Sequence, residues 1–341
     1  MATTFSKLRD VQLERLLALP AKFSDNPFRA WALSSLQQRN AALDALFYDV
    51  KSITEQEVRD LAFWLAREGA VIHVPPSGGS PLTVHTDHRV FLAKHGPTVG
   101  AVAIAGVGSS ALGSAAFARN VADAIGKPVA AVVSGYGLAD VVTEAMGGWF
   151  WFGGLNSARH LFERLDSFTK LFTKSEVAST SIEAGLVRMS KDTETLIALL
   201  LDPRLDADLL IGHSKGNLVV SEALYAIEER HPAHLQRLTD KQIVTVSAKV
   251  GMPPSFHRIL DIMGEQDGFG AMNSRSDIPT DYEVPHAWHS TNPTFLGDWG
   301  LDVTKALRTV LPDFDAWLKP VRRQSPFLPD MPQIATALLA G

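Results

Sequence analysis

No cysteine occurs among the 341 residues. Disulfide frameworks, thiolate metal sites and cysteine nucleophiles are thereby excluded. An excess of charge of either sign is also missing. The 32 Lys and Arg stand against 37 Asp and Glu, a net charge of −5. That balance rules out a generally basic nucleic-acid binder, a local patch aside. No apolar run reaches the ~18–20 residues of a membrane span. The best candidate, AVAIAGVGSSALGSAAFA, is broken by Gly and Ser. The opening MATTFSKLRDVQLERLL has no basic head, apolar run and small-residue cleavage site, so no signal peptide is expected. What is present is apolar material in quantity: 46% hydrophobic residues against 20% charged ones. Such a chain buries a large core. At ~150 residues per domain, its length accommodates two domains, or one large α/β domain with an addition. The composition thus points to a soluble, cytoplasmic protein with no integral membrane segment and no nucleic-acid partner.

Residues 1–68 read as a helical extension. Asn26 before Pro27 fits a helix start, and Phe28, Trp31, Ala32, Leu36, Leu43, Leu46 and Phe47 recur at helical spacing. Thr54-Glu55-Gln56-Glu57 is a capping box, opening a helix that should run to Gly69. No charged constellation stands out here, and the segment reads as packing on the main domain. Its helices also offer a surface for a homodimer.

From residue 70 short β-branched runs alternate with helical stretches. Strands are expected at Ala70–Val74, His88–Leu92, Val99–Gly106, Pro128–Ser134, Ala207–Gly212, Gln242–Val250, Arg258–Met263 and Tyr282–Trp288. Helices are expected at Ala111–Ile125, Gly216–Arg230 and Asp302–Leu318. This is the pattern of an α/β fold, a mostly parallel sheet with helices on both faces. The two early strands, joined by the loop-like VPPSGGSPLTVHTDH, are expected to pair antiparallel at one edge. Between Ser134 and Ala207 lies far more chain than one crossover helix needs. Something is inserted there, centred on Gly147-Gly148-Trp149-Phe150-Trp151-Phe152-Gly153-Gly154. Trp149, Phe150, Trp151 and Phe152 read either as an inserted piece of core or as a hinged lid or acyl-pocket wall.

The strongest chemical signal is Leu209-Leu210-Ile211-Gly212-His213-Ser214-Lys215-Gly216. It places Gly-x-Ser-x-Gly at the junction of an apolar strand and a helix. There a sharp turn would project the serine hydroxyl clear of the sheet, and the helix N-terminus would face a developing oxyanion. A serine hydroxyl is a weak nucleophile and needs a base, which in turn needs an orienting acid. Asp267, with Glu265 as alternative, follows one later strand; His289, with His286 as alternative, follows the next. Alternation along Tyr282–Trp288 would put His286 on the face of Val284 and Trp288, held in the sheet packing. His289 would enter the polar run Ser290-Thr291-Asn292-Pro293, where a loop can present it.

On these residues the chain resembles the α/β-hydrolase superfamily, its serine lipase and esterase branches in particular, over about residues 97–318. The resemblance implies Ser214 as nucleophile, Asp267 as acid and His289 as base. It further implies an oxyanion hole from the backbone N–H groups of Lys215 and Val107. The chain departs from the pattern at Ala105-Gly106, where many relatives carry His-Gly. The implied layout is an N-terminal extension 1–68, a hydrolase domain 69–320 with a cap or lid at about 137–205, and a tail 321–341. The implied reaction is hydrolysis of a small-molecule or lipid-like carboxylic ester through an acyl-enzyme, without cofactor or metal. Thioester hydrolysis or acyl transfer on the same residues, and a catalytically silent binding protein of the same fold, are the alternatives.

One further motif competes. Gly106-Val107-Gly108-Ser109-Ser110-Ala111 satisfies the G-x-G-x-x-G/A pattern of a dinucleotide-binding turn, which would make the protein an oxidoreductase. The next strand ends in Ser134-Gly135-Tyr136-Gly137, with neither an acid for a ribose nor an Arg for a phosphate. Histidines number 11, but His85, His88, His286 and His289 lack metal-ligand spacing.

Overall fold

A computed structural model describes residues 44–62, 68–106, 109–134 and 190–319. In chain order the strands are β1 (Val71–Val74), β2 (Thr83–His85), β3 (Ala101–Ile104), β4 (Val129–Val132), β5 (Leu209–His213), β6 (Gln242–Val246), β7 (Ile259–Gly264) and β8 (Tyr282–Val284). The helices are α1 (Glu55–Ala62), α2 (His88–His95), α3 (Ala111–Ile125), α4 (Lys191–Leu201), α5 (Gly216–Arg230), α6 (Leu235–Leu238), α7 (Gly268–Met272), α8 (Val303–Val310) and α9 (Phe314–Trp317). Residues 44–47 add one helical turn ahead of them.

The strands form one sheet in the order β2-β1-β4-β3-β5-β6-β7-β8. From β4 to β8 every pairing is parallel, while β1 runs antiparallel to both β2 and β4. This is an α/β fold. The central strands are buried over nearly their whole length because successive side chains feed two different cores. Ala101, Ala103, Ile211, Val244 and Leu260 face one side, where α3 and α8 lie with Phe117, Val121 and Leu307. Val102, Ile104, Leu210, Ile243 and Ile259 face the other, where α4 and α5 contribute Leu196, Leu199, Val220 and Leu224. Thus α4, at the end of the stretch expected to form a cap, lies against the sheet.

Helices α3 and α5 start and stop where their periodicity predicts. The reading of His88–Leu92 as a strand is overturned: these residues open α2. Asp87 caps it, its carboxylate accepting the Arg89 N–H at 2.8 Å. Adjacent Phe91 and Leu92 are both buried and Val90 is exposed, a helical and not an alternating pattern. The second edge strand is instead Thr83–His85, inside the stretch read as loop; it pairs antiparallel with β1, and β1 goes on to pair with β4. The expected Asp302–Leu318 helix is interrupted: α8 ends at Val310, and Pro312 lies in a 3-10 turn before α9.

The capping box forms as expected. The Thr54 N–H donates to Glu57 Oε2 at 3.0 Å and the Glu57 N–H to Thr54 Oγ1 at 3.3 Å. Beyond Ala62 the course of this helix toward Gly69 lies outside the described residues. Glu57 has a second role that no local pattern in the sequence announces. Its other oxygen accepts from Leu82 N–H at 3.2 Å and from Arg119 of α3 at 2.5 Å, both side chains being buried. Burial alone would lift the Glu57 carboxyl. The hydrogen bonds from Thr54 and Leu82, together with Arg119, outweigh it and hold the group below the ordinary range. This ion pair ties α1 to α3. Removing one partner strands the other charge in the interior, which costs far more than losing an exposed pair. Glu57→Ala is therefore expected to lower unfolding stability by about 3 kcal/mol, read from denaturant midpoints. Exposed Glu55→Ala should change it by a few tenths. Equal effects would contradict the role given to the pair.

Candidate active site

The turn from β5 to α5 is built by backbone contacts. Ser214 has φ 52°, in the left-handed region that a residue with a β-carbon enters at a cost. Its N–H donates to Val246 O at 2.8 Å, extending the β5–β6 ladder by one residue, and its carbonyl accepts from Asn217 N–H at 3.1 Å. The flanking glycines are required by space. A β-carbon on Gly216 would collide with the carbonyl oxygens of Ile104 and Ala105 at the end of β3, and one on Gly212 would collide with Asn217. Asn217 is fully buried and donates to Val246 O at 3.1 Å and Ala248 O at 2.8 Å. It locks the turn from below, a role the sequence reading did not assign.

Asp267 follows β7 and His289 follows β8. Close backbone approach joins their loops: Gln266 N–H donates to Ala287 O at 2.9 Å, and a β-carbon on Gly264 would overlap the Ala287 carbonyl. His289 Nδ1 lies 2.9 and 3.1 Å from the two Asp267 carboxylate oxygens, and Nε2 lies 2.9 Å from Ser214 Oγ. All three residues are buried. Because the carboxylate can only accept, Nδ1 is the protonated nitrogen and Nε2 has a lone pair facing the serine hydroxyl. Asp267 also accepts the Gly270 N–H at 2.6 Å as the cap of α7, which fixes its orientation. Edge-on contacts from Phe47 and Phe269, at ring-centroid distances of 6.1 and 6.3 Å, hold the imidazole.

The alternative acid and base lie elsewhere. Glu265 and His286 face each other, with Glu265 Oε2 accepting the His286 backbone N–H at 2.7 Å. The His286 side chain is 77% exposed. The expectation that His286 would be held in the sheet packing is thus overturned. Strand β8 ends at Val284, Pro285 has no N–H to continue the ladder, and His286 turns out with φ 58°.

Lys215 is half-buried at the start of α5, its N–H next along the chain from Ser214. Val107, and with it Trp149, Phe150, Trp151 and Phe152, lies outside the described residues. On either side of Val107 and Gly108, the Ser109 N–H donates to Gly106 O at 3.0 Å. A cleft of about 360 Å³ is lined by Lys249, Glu265, Asp267, Arg275, Thr280 and Glu283, among others. It shares Asp267 with the site, but neither Ser214 nor His289 lines it. Among the described residues there is no cluster of His, Asp or Glu able to hold a metal ion, and no helix long and apolar enough to cross a membrane.

The N-terminal segment enters the site, which the sequence reading did not foresee. Asp44 is fully buried at the N-terminus of α3, where its carboxylate accepts from the Ser110 hydroxyl and from the Ser110 N–H at 3.2 Å. A carboxyl group therefore occupies the helix end where a dinucleotide's pyrophosphate would have to lie, which argues against the competing glycine motif. The carbonyls of Ala45, Leu46 and Phe47 accept from the side chains of Asn292, Ser290 and Thr291, next to His289. Tyr48 accepts the Gly106 N–H at 2.7 Å. No local pattern announces this in Asp44-Ala45-Leu46-Phe47-Tyr48, whose partners in the site are distant in sequence.

No family model, curated protein or solved structure matches the chain.

Burial lifts the Asp44 carboxyl from 3.8 to about 7, against the pull of hydrogen bonds from Ser110 and Gly113. The folded state thus keeps a proton that the unfolded chain has released above about pH 4. Its contribution is full below that pH, declines as the pH rises and is spent above about 7. The stability of the wild type relative to Asp44→Asn, which does not titrate, should fall as the pH rises from about 4 to about 7 and then level off. Parallel curves would contradict this.

Proposed function

We propose that the protein is a serine hydrolase that cleaves carboxylic esters through an acyl-enzyme. The observation that carries the reading is the hydrogen-bonded series from Ser214 Oγ through His289 to Asp267, with Ser214 on a left-handed turn between strand and helix. Such a turn is costly and persists when its surroundings hold it, and costly backbone gathers at sites of chemistry. The chain order serine, aspartate, histidine and the parallel sheet that carries them support the resemblance to α/β-hydrolases.

In this reading Ser214 Oγ attacks the ester carbonyl carbon while its proton passes to His289 Nε2. The carbonyl π electrons move onto oxygen, and the backbone N–H of Lys215, with that of Val107, stabilises the resulting oxyanion. Collapse breaks the bond to the alkoxide, which leaves as alcohol with the proton from His289. Water then attacks the acyl-Ser214 carbonyl and gives a proton to Nε2. Collapse of that second intermediate releases the carboxylic acid and returns the proton to Ser214. Asp267 keeps the imidazole in the tautomer that can accept from serine, and it steadies the imidazolium that forms in each half. Every bond made or broken is accounted for by these groups and water, so the reaction calls for no cofactor. Trp149–Phe152 are the sequence's candidates for the acyl-binding wall.

Ser214→Ala and His289→Ala are each expected to lower kcat for a nitrophenyl ester by several orders of magnitude while the protein stays folded, since such residues act as a unit. His286→Ala should leave kcat within about twofold, because it lies in solvent away from the series. A Ser214→Ala protein that keeps a tenth of the activity would overturn the assignment. An inactive His286→Ala beside an active His289→Ala would overturn the choice of base.

A further inference from the structure

His213, the residue before the serine, is buried and bonded at both ring nitrogens. Nδ1 lies 3.1 Å from the Tyr48 hydroxyl, and Nε2 lies 3.1 Å from the backbone carbonyl of His289. A carbonyl can only accept, so Nε2 carries the proton and Nδ1 is the acceptor. The Tyr48 hydroxyl must then donate to Nδ1, and its oxygen takes the Gly106 N–H at 2.7 Å. The result is one unidirectional chain: Gly106 N–H to Tyr48, Tyr48 O–H to His213, His213 N–H to the His289 carbonyl. Each N–H or O–H along it has an acceptor.

The two ends of this chain are informative. Gly106 is the residue before Val107 in the chain, and His289 carries the imidazole facing Ser214. The bridge therefore links Gly106, just after β3, to the backbone of His289. It is also built to stay uncharged. Burial, and after it the proximity of His289, pushes the His213 imidazole down to about 3. A cation there, with ring centroids only 5.3 Å apart, would oppose formation of the imidazolium on His289. The Tyr48 ring packs edge-on against both Phe117 and His213, at 6.2 and 5.4 Å, so its position does not depend on the hydroxyl alone.

We propose that Tyr48 and His213 are positioning residues of the active centre: a neutral hydrogen-bond bridge that holds the backbone of the base, His289, in register with Gly106, the residue before the proposed oxyanion donor Val107. Tyr48 comes from the N-terminal segment, so that segment is part of the catalytic apparatus. This inference rests on the ester-hydrolase reading, and it adds to it two residues that touch neither substrate nor the reacting atoms.

The experiment uses the full chain and follows the nitrophenol burst and steady state on a nitrophenyl ester. Tyr48→Phe keeps the ring and deletes the hydroxyl. It is expected to slow acylation and kcat by about tenfold to a hundredfold, the scale of loss when a catalytic group is slightly misplaced. KM should stay within about twofold, since nothing that binds substrate is removed. His213→Gln, which retains an N–H donor and a carbonyl acceptor, should recover most of the wild-type rate, whereas His213→Leu should fall with Tyr48→Phe. Rates are taken per active site, from the burst amplitude, so a partly unfolded variant is not mistaken for a slow one. If Tyr48→Phe does not fold, the contrast between His213→Gln and His213→Leu decides. A wild-type burst with an unchanged rate in Tyr48→Phe would overturn the positioning role and leave the hydrolase reading standing. Equal rates in His213→Gln and His213→Leu would do the same. A wild type with no burst and no turnover would overturn both.

Discussion

The left-handed turn at Ser214 is the constraint around which the described structure is arranged. A serine at φ 52° gives up about 1 kcal/mol or more relative to ordinary backbone, and it is held there from three directions. Below, Asn217 ties the start of α5 to the end of β6. To one side, the ladder bond to Val246 fixes its N–H. To the other, Gly216 presses on the last carbonyls of β3 so tightly that no side chain fits. Because β3 and β6 are the two parallel neighbours of β5, the turn is held by the assembled middle of the sheet. The same assembly brings the ends of β7 and β8 alongside. Asp267 and His289 reach the serine from there because their loops are stitched together by backbone bonds.

A second layer of order comes from outside the sheet. The short stretch from Asp44 to Tyr48 touches the loops on both sides of the serine. Its backbone carbonyls hold Ser290, Thr291 and Asn292, its tyrosine reaches Gly106 and His213, and its aspartate sits on the first turn of α3. These bonds are mostly between neutral groups in a buried setting, where each unmade bond would cost more than each made bond gains. Such a network fixes geometry more than it adds stability. Its one ionisable carboxyl, Asp44, bears the cost of burial as a raised affinity for its proton.

Much of the fold could be read in the sequence because the apolar runs of the central strands are continuous and the helices between them are periodic. The limits of α3 and α5 and the sites of β3, β4, β5 and β7 follow from that. The edge was misread: Thr83–His85 is short and half-buried, with little apolar content, while His88–Leu92 holds β-favouring residues in a segment that its Asp87 cap turns into a helix. Ser214, Asp267 and His289 were legible because local chemistry marks them, through a glycine-flanked serine and polar loops after apolar strands. The placement of His286 failed because alternation was carried past Pro285, where the strand had ended. Tyr48, Asp44 and the bridging role of His213 were hidden for a different reason. Each depends on partners tens of residues or more away, and a tyrosine or aspartate in a helical segment looks the same whether it faces solvent or a buried polar network.

The central claim is that the Ser214 hydroxyl is an activated nucleophile. The most direct measurement is peptide mapping by mass spectrometry after exposure of the folded protein to a fluorophosphonate. The account predicts a stoichiometric adduct on Ser214, abolished when His289 is replaced by alanine, because the hydroxyl is reactive only while that imidazole can take its proton. An unmodified Ser214, or an adduct whose rate is the same with and without His289, would contradict it.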